Sequence, residues 1–361
     1  MISSLIIYNA LLFLCVLSAY LTKISTNSSK KILNVFTFLL LFGIAALRSG
    51  VGSDFEDYVR IFENIDRFKF NQIEPIYFGF NKLLNILGFQ AQSIFVVMGA
   101  IAAFFAVKAS QKTKYPELFI FSYVTLIYLN SLNAMRQEIA TTILLYALLL
   151  LIEGKTKTYI LLVLFATGFH YVSILLLPFV FINKIKYDKK TVFLTALLAF
   201  LFIRVGVIEI LASSGILSGT KYVFYLNSEL YNQSTETGLG NIIILVAKHF
   251  SLLIPFFIPR SRYPEQLIKF RNATLILNSC LLLVLIASLD FYILHRLVSL
   301  FTIANIFSLL LMVEAKIRSR QIWVFVTILL MLFYFENDIH ISRKNVPGKG
   351  ITPYVTIFER N

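Results

Sequence analysis

An all-α, polytopic membrane fold follows from three features of this 361-residue chain. Hydrophobic residues make up 58% of it and charged residues 14%, more apolar side chain than the interior of a soluble domain can hold. The apolar runs continue well past the roughly ten residues of a barrel strand. They also lack strict period-two alternation, so the spans read as helices.

The runs fall at about 2–22, 32–47, 93–109, 118–134, 138–152, 158–182, 191–211, 242–258, 272–289, 296–313 and 322–337. The first has no basic leading stretch and no small-residue cleavage site, and reads as a retained span. Cys15 and Cys280 lie inside runs, outside any metal-ligand spacing, and read as packing residues. The polar intervals 23–31, 108–117, 153–157, 183–190, 259–271 and 314–320 hold 19 of the 33 Lys and Arg against 5 of the 19 Asp and Glu. They therefore carry the whole net charge of +14, and the rest of the chain is neutral. Charge distributed in this way marks cytoplasmic loops rather than a nucleic-acid face.

With those six intervals inside, the run 158–182 has to turn back on itself, because a single span there would put Lys184, Lys186, Lys189 and Lys190 outside. The expected form is a re-entrant hairpin of two short helices meeting near Gly168-Phe169-His170. Each leg reaches about 18 Å, so the tip sits below the outer surface. The count becomes 11 to 12 transmembrane segments in one membrane domain, with both termini, the loops 48–92 and 212–241, and the tail 338–361 outside. Within loop 48–92, Glu74-Pro75 opens a helix, proline being suited to the first turn. Ile76, Phe80, Leu83, Leu84 and Leu87 follow at helical spacing until Gly88, which reads as an amphipathic helix on the outer leaflet.

The densest polar cluster is Arg48-Ser-Gly-Val-Gly-Ser-Asp-Phe-Glu-Asp-Tyr58, at the end of the second run. Gly50 and Gly52 allow a tight backbone path, and Asp54 and Tyr58, four apart, share a face if the segment is helical. Asp54, Glu56 and Asp57 are of metal-ligand type. Asp-Phe-Glu is not the Asp-x-Asp pattern of metal-dependent sugar transfer, however, and no histidines support it.

The ionisable residues in or beside the runs all belong to the outer half under this topology. They are Arg48, Arg136, His170, Arg204, Lys248, His249, Asp290, His295 and Arg296. Such a pattern suggests an outward-open basic cavity for an anion reached from the lipid, a lipid-linked phosphate or diphosphate. Arginine meets phosphate oxygens with a planar fork, and several cations in a low-dielectric site stabilise a departing diphosphate. Simpler readings stand beside these. Arg48 and Arg136 can snorkel to headgroups, and His170 can be a core histidine bonded to backbone. Arg204 can pair with Glu209, one of Lys248 and His249 must face away, and Asp290, His295 and Arg296 can form a wet junction.

Leu47-Arg48-x-x-Val51-Gly52-x-Asp54-x-x-x-Tyr58, then Glu74-Pro75, then Met135-Arg136-Gln137-x-x-Ala140, then Phe169-His170-Tyr171-x-Ser173 resemble the EpsG-like family of Wzy-type polysaccharide polymerases. The likeness covers roughly residues 45–180 and thins to the Arg296 span beyond, and Phe55 stands where the family has a tyrosine. The resemblance implies a metal-independent glycosyltransferase of the bacterial inner membrane, without a cofactor, working on the periplasmic side. It would serve O-antigen, lipopolysaccharide or exopolysaccharide synthesis. Donor and acceptor would both be undecaprenyl-diphosphate-linked oligosaccharides, the growing glycan passing to the non-reducing end of an incoming unit, with membrane lipid and a chain-length regulator as further partners. In that mechanism His170 is the general base, and Arg136 and Arg48, with Lys248 or Arg296, clamp the diphosphate. Asp54, Tyr58 and Glu74 order the outer loop or bind sugar hydroxyls, with Gln137, Arg204 and His249 also on the substrate side. An O-antigen ligase would use the same chemistry on another acceptor. A flippase would place its charges near the midplane with access from both sides.

Overall fold

The computed structural model describes residues 2–69, 72–188, 239–290, 294–343 and 348–359. The described residues are mostly helical, and their only β pairing is two isolated bridges, Arg48 with Thr356 and Arg343 with Thr352. Eight helices among them are long and apolar enough to cross a membrane. With no water in hydrocarbon, a helix is the element that satisfies its own backbone. The chain divides into two compact units, Met1–Val180 with Arg318–Asn361, and Phe181–Ile317.

In the first unit α1 (Ile2–Ile24), α2 (Asn27–Leu47), α5 (Gln92–Ser110), α8 (Met135–Ile152) and α14 (Arg320–Ile341) are full spans. The segment 116–131 is α6 (Pro116–Tyr123) and α7 (Leu129–Ser131) joined by a π-helical turn, Val124–Tyr128. The π turn widens the helix where Tyr128 donates its hydroxyl to the carbonyl of Leu41, 2.6 Å away on α2. Between α2 and α5 the chain makes two short helices, α3 (Phe55–Glu63) and α4 (Pro75–Ile86).

The run 158–182 does reverse. It is α9 (Thr156–Thr167) followed by a 3₁₀ leg, Tyr171–Lys184. Straight continuation would separate Tyr159 from Leu176 by about 25 Å, yet the Tyr159 hydroxyl donates to the Leu176 carbonyl. The second leg was expected as α-helix. Pro178 within it lacks an N–H and crowds the preceding turn, which favours the narrower winding.

Contacts at the two ends of this unit sort its connections. At one end Lys23 pairs with Glu117 at 3.0 Å and Lys112 with Glu153 at 3.1 Å, bringing together the basic intervals 23–31, 108–117 and 153–157. At the other end lie the close of α2, the starts of α5 and α8, the hairpin tip and the tail after α14. Gln92 donates to the Ala46 and Arg48 carbonyls, and Tyr8 to that of Ile351.

The second unit contains α10 (Leu239–Phe257), α11 (Ile268–Asp290), α12 (His295–Phe301) and α13 (Ile303–Glu314). A buried polar seam links three of these helices. Ser308 donates to Asn278 at 2.9 Å, Asn278 to the Leu252 carbonyl at 2.8 Å, and Ser251 to Asn305 at 3.1 Å. Cys15 is buried and Cys280 partly so, both as free thiols. The run 191–211, with Arg204, and most of the loop 212–241 lie outside the described residues.

Candidate active site

The site is assembled where the hairpin tip docks on the start of α4. Pro75 has no N–H, and the next two amides of α4, Ile76 and Tyr77, are unsatisfied by the helix itself. Both donate to the Gly168 carbonyl, at 2.9 and 3.1 Å. The Tyr171 hydroxyl adds a bond to the Ile73 carbonyl at 3.3 Å, and the rings of Phe80 and Phe169 stack 6.2 Å apart. The approach needs a residue without a side chain at position 168, since a Cβ there would lie 2.9 Å or less from three carbons of Ile76.

This docking brings Glu74 to His170. The Glu74 carboxylate is almost sealed, 1% exposed. Its Oε2 accepts from Arg136 Nη1 at 2.6 Å, and its Oε1 lies 3.8 Å from His170 Nδ1. A buried carboxylate requires a compensating cation, and Arg136 supplies it. The guanidinium lies over the rings of Tyr77, 5.3 Å from the centroid, and Tyr58, 5.8 Å from it, whose faces attract a cation. The two rings meet edge to face at 6.2 Å. Burial raises the Tyr58 and Tyr77 hydroxyls above the ordinary tyrosine range, so both stay protonated at neutral pH. Arg136 keeps 27% of its side chain exposed and reaches outward over Glu74, while His170, with 11%, is buried beside the carboxylate.

Tyr58 is held by α3, whose start is fixed from two sides. Asn133, in the turn before α8, accepts from Ser53 Oγ at 2.9 Å and from the Asp54 amide at 3.0 Å. From the other side the tail supplies carbonyls. Val355 accepts from the Ser49 amide, Gly350 from Gly52, and Lys349 from Ser53, all at 2.9 Å. Gly52 has φ +100, and a Cβ on it would stand 2.2 Å from the Leu132 carbonyl oxygen. Asp54 is the N-cap residue of α3 and Tyr58 lies on its buried face. Glu56 and Asp57 point to solvent, and Asp57 pairs with Arg60 at 2.7 Å. Among the described residues no group of three or more His, Cys, Asp or Glu converges in a way that would hold a metal.

The pairing of Arg48 with Arg136 as a clamp is corrected by the packing. Arg48 is 1% exposed, its guanidinium 4.9 Å from the Phe95 ring centroid and its Nη2 3.5 Å from Met135 Sδ. It neither snorkels nor opens to a ligand. No carboxylate among the described residues lies within ion-pairing distance of it, and burial draws its pKa down from the ordinary arginine range. Its place is beneath the site, next to the residue that precedes Arg136. Gln137 follows Arg136 on α8.

In the second unit, His249 is buried, with Nδ1 3.0 Å from Asn305 Nδ2 on α13. This makes it part of the polar seam, and of the adjacent pair Lys248 is the more exposed. Arg296 stands in the first turn of α12, beside His295. The first unit thus unites Tyr58, Glu74, Arg136 and His170, with Asp54 and Gln137 adjoining. Lys248, His249 and Arg296 belong to the second unit, and Arg204 is outside the described residues.

Two residues were missed in the sequence. Tyr77 was overlooked although Glu74, Tyr77 and Asn81, at spacings of three and four, form the buried face of α4. Asn133 carried no signal, because its role depends on a loop 80 residues away.

The model of the EpsG family matches residues 31–356. The chain belongs to the EpsG family. The match extends past the 45–180 stretch, through the second unit and into the tail. No curated protein and no solved structure matches the chain. The EpsG family is associated with Wzy-type polymerases, which are polysaccharide polymerase-like glycosyltransferases. In this member four of the residues that resemble the family's motifs, Tyr58, Glu74, Arg136 and His170, meet in one cluster.

Proposed function

We propose that this EpsG-family chain polymerises polysaccharide. It moves a growing glycan from undecaprenyl diphosphate to the non-reducing-end hydroxyl of an incoming undecaprenyl-diphosphate-linked repeat unit. The observation that carries the reading is the Glu74, Arg136 and His170 cluster at the end of the first unit away from its basic connections. By the positive-inside rule that end faces the periplasm of the inner membrane, where the lipid-linked units are presented.

His170 acts as general base. With Nδ1 turned toward Glu74, Nε2 is the nitrogen that takes the proton, and the carboxylate steadies the imidazolium that forms. The acceptor oxygen bonds to the anomeric carbon from the face opposite the diphosphate. The bond from that carbon to the diphosphate oxygen breaks, and its electron pair leaves with undecaprenyl diphosphate, inverting the centre. Arg136, pre-oriented by Glu74 and two rings, stabilises the charge that builds on the leaving group. Asp54 and Gln137 are assigned as sugar contacts, while Tyr58, Tyr77 and Glu74 hold the arginine.

The test is purified protein given a synthetic lipid-linked repeat unit. A ladder of polymer is expected, still formed after exhaustive chelation. His170→Gln should bind the substrate yet turn over about 10² to 10⁴ times more slowly, the range for a lost general base. Single transfer only to a lipid A core acceptor would make the protein a ligase. A ladder of unchanged rate from His170→Gln would remove the base.

A further inference from the structure

At the opposite end of the first unit, between α1, α2, α5 and the start of α6, lies an open cavity of about 450 Å³. The reaction assigned above makes no use of it. Its lining carries three lysines, Lys23, Lys30 and Lys114, and no carboxylate. Lys23 is partly neutralised from the rim by Glu117 at 3.0 Å, and Lys114 lies 5.3 Å from the Tyr115 ring centroid. Lys30, in the first turn of α2, adds positive charge where the helix dipole is already positive and no acidic residue offsets it. The floor is polar. Thr37 and Ser110 are 3% and 4% exposed, and Asn34 stands beside Thr37 one turn earlier.

Buried hydroxyls and an amide under three ammonium groups, in a cavity of ligand size, form a site for an anion that carries hydroxyl groups of its own. The cavity sits where apolar helices end, so it is at headgroup depth. The same end bears the basic intervals that face the cytoplasmic leaflet, where anionic lipids are bound by basic pockets between spans. We propose that this cavity is a binding site for the glycerophosphate headgroup of an anionic phospholipid. The phosphate is met by Lys30 and Lys114, the glycerol hydroxyls face Asn34 and the hydroxyl floor, and the acyl chains run along the apolar outer faces of α1 and α2. Those faces expose Phe13, Leu17, Tyr20, Val35, Phe36 and Leu39.

The test is native mass spectrometry of the delipidated full chain, titrated separately with phosphatidylglycerol, phosphatidylcholine and inorganic phosphate. Phosphatidylglycerol is expected to bind as one tight adduct that phosphatidylcholine does not match and inorganic phosphate does not displace. Lys30→Gln and Lys114→Gln should each weaken that adduct about fivefold. Both leave the Lys23 to Glu117 pair intact, and Lys157→Gln, an exposed change at the same end but off the cavity, should not weaken it. Asn34→Leu keeps every charge while narrowing the cavity, and should also weaken the adduct. Equal binding of phosphatidylcholine, displacement by phosphate alone, or an unchanged adduct in the lysine and Asn34 variants would each overturn the proposal. Because the readout is lipid binding, its failure leaves the polymerase assignment standing, and failure of the polymer assay leaves this site standing.

Discussion

Arg136 is fixed by three groups at once, a carboxylate 2.6 Å away and two tyrosine rings. A lysine in its place keeps the charge but loses the planar fork and the fit over the rings. Arg136→Lys is therefore expected to lose most polymerase activity at normal protein level, with Arg136→Ala worse, as measured by ladder formation. Glu74→Gln keeps the shape of the side chain but removes the charge shared by Arg136 and His170, and should lower turnover more than substrate binding. His170 must be neutral to take a proton, so the wild-type rate should fall as the pH drops and the imidazole becomes protonated. A rate–pH profile checks this, and in His170→Gln that limb should vanish. A persistent limb would assign the titration to another group. Single positions of this kind were partly legible in the sequence. The motif carried Glu74, Arg136 and His170, but nothing in their spacing showed that one carboxylate serves both the guanidinium and the imidazole.

At the scale of elements, two dockings hold the site, and each depends on a glycine. The tip of the hairpin meets α4 across Gly168, where an added methyl group would press on Ile76. Gly168→Ala is expected to push α4 away, parting Glu74 from His170 and reducing activity more than stability. The strand-like stretch Arg48–Ser53 lies between the turn at Leu132 and the tail. Gly52→Ala combines a positive φ, costing about 1–3 kcal/mol, with a clash on the Leu132 carbonyl. It should lower the melting temperature of the purified protein, and an unchanged melting curve would count against the loop geometry. The helix Pro75–Ile86 was legible from Glu74-Pro75 and its apolar spacing. The residues that form its buried face were not. Tyr77 and Asn81 face inward, while Leu83, Ile86 and Leu87 are exposed, as in a helix whose apolar side meets lipid rather than core.

For the whole molecule, the basic connections gather at one end of the first unit and the site at the other. Single cysteines report the sidedness. In intact spheroplasts a cysteine at the exposed Glu56 position should react with an impermeant thiol reagent, and one at Lys157 only after permeabilisation. The reverse pattern would put the site on the cytoplasmic side. The tail was expected only as an outer segment. It is instead part of the site's frame, with Lys349 joined to Asp338 at 2.6 Å and the Tyr354 hydroxyl donating to the Ile44 carbonyl at 3.0 Å. Removing residues 348–361 should therefore abolish activity even though it removes no proposed catalytic group.

The sequence alone determined the all-helical class, the positions of the described spans, the reversal at Gly168 and the family. Each of these is written in local composition. Water-free surroundings force helices, loop charge sets orientation, and a motif survives as a string. The tertiary structure alone decided which charges meet. Arg48 and Arg136 look alike as arginines at span ends, yet one is sealed against Phe95 and Met135 and the other reaches outward over Glu74. His170 and His249 look alike as histidines in apolar runs, yet one faces a carboxylate and the other a core asparagine. The difference lies in contacts between residues 40 to 100 positions apart, and a one-dimensional pattern holds no record of which partner packing will bring to each side chain.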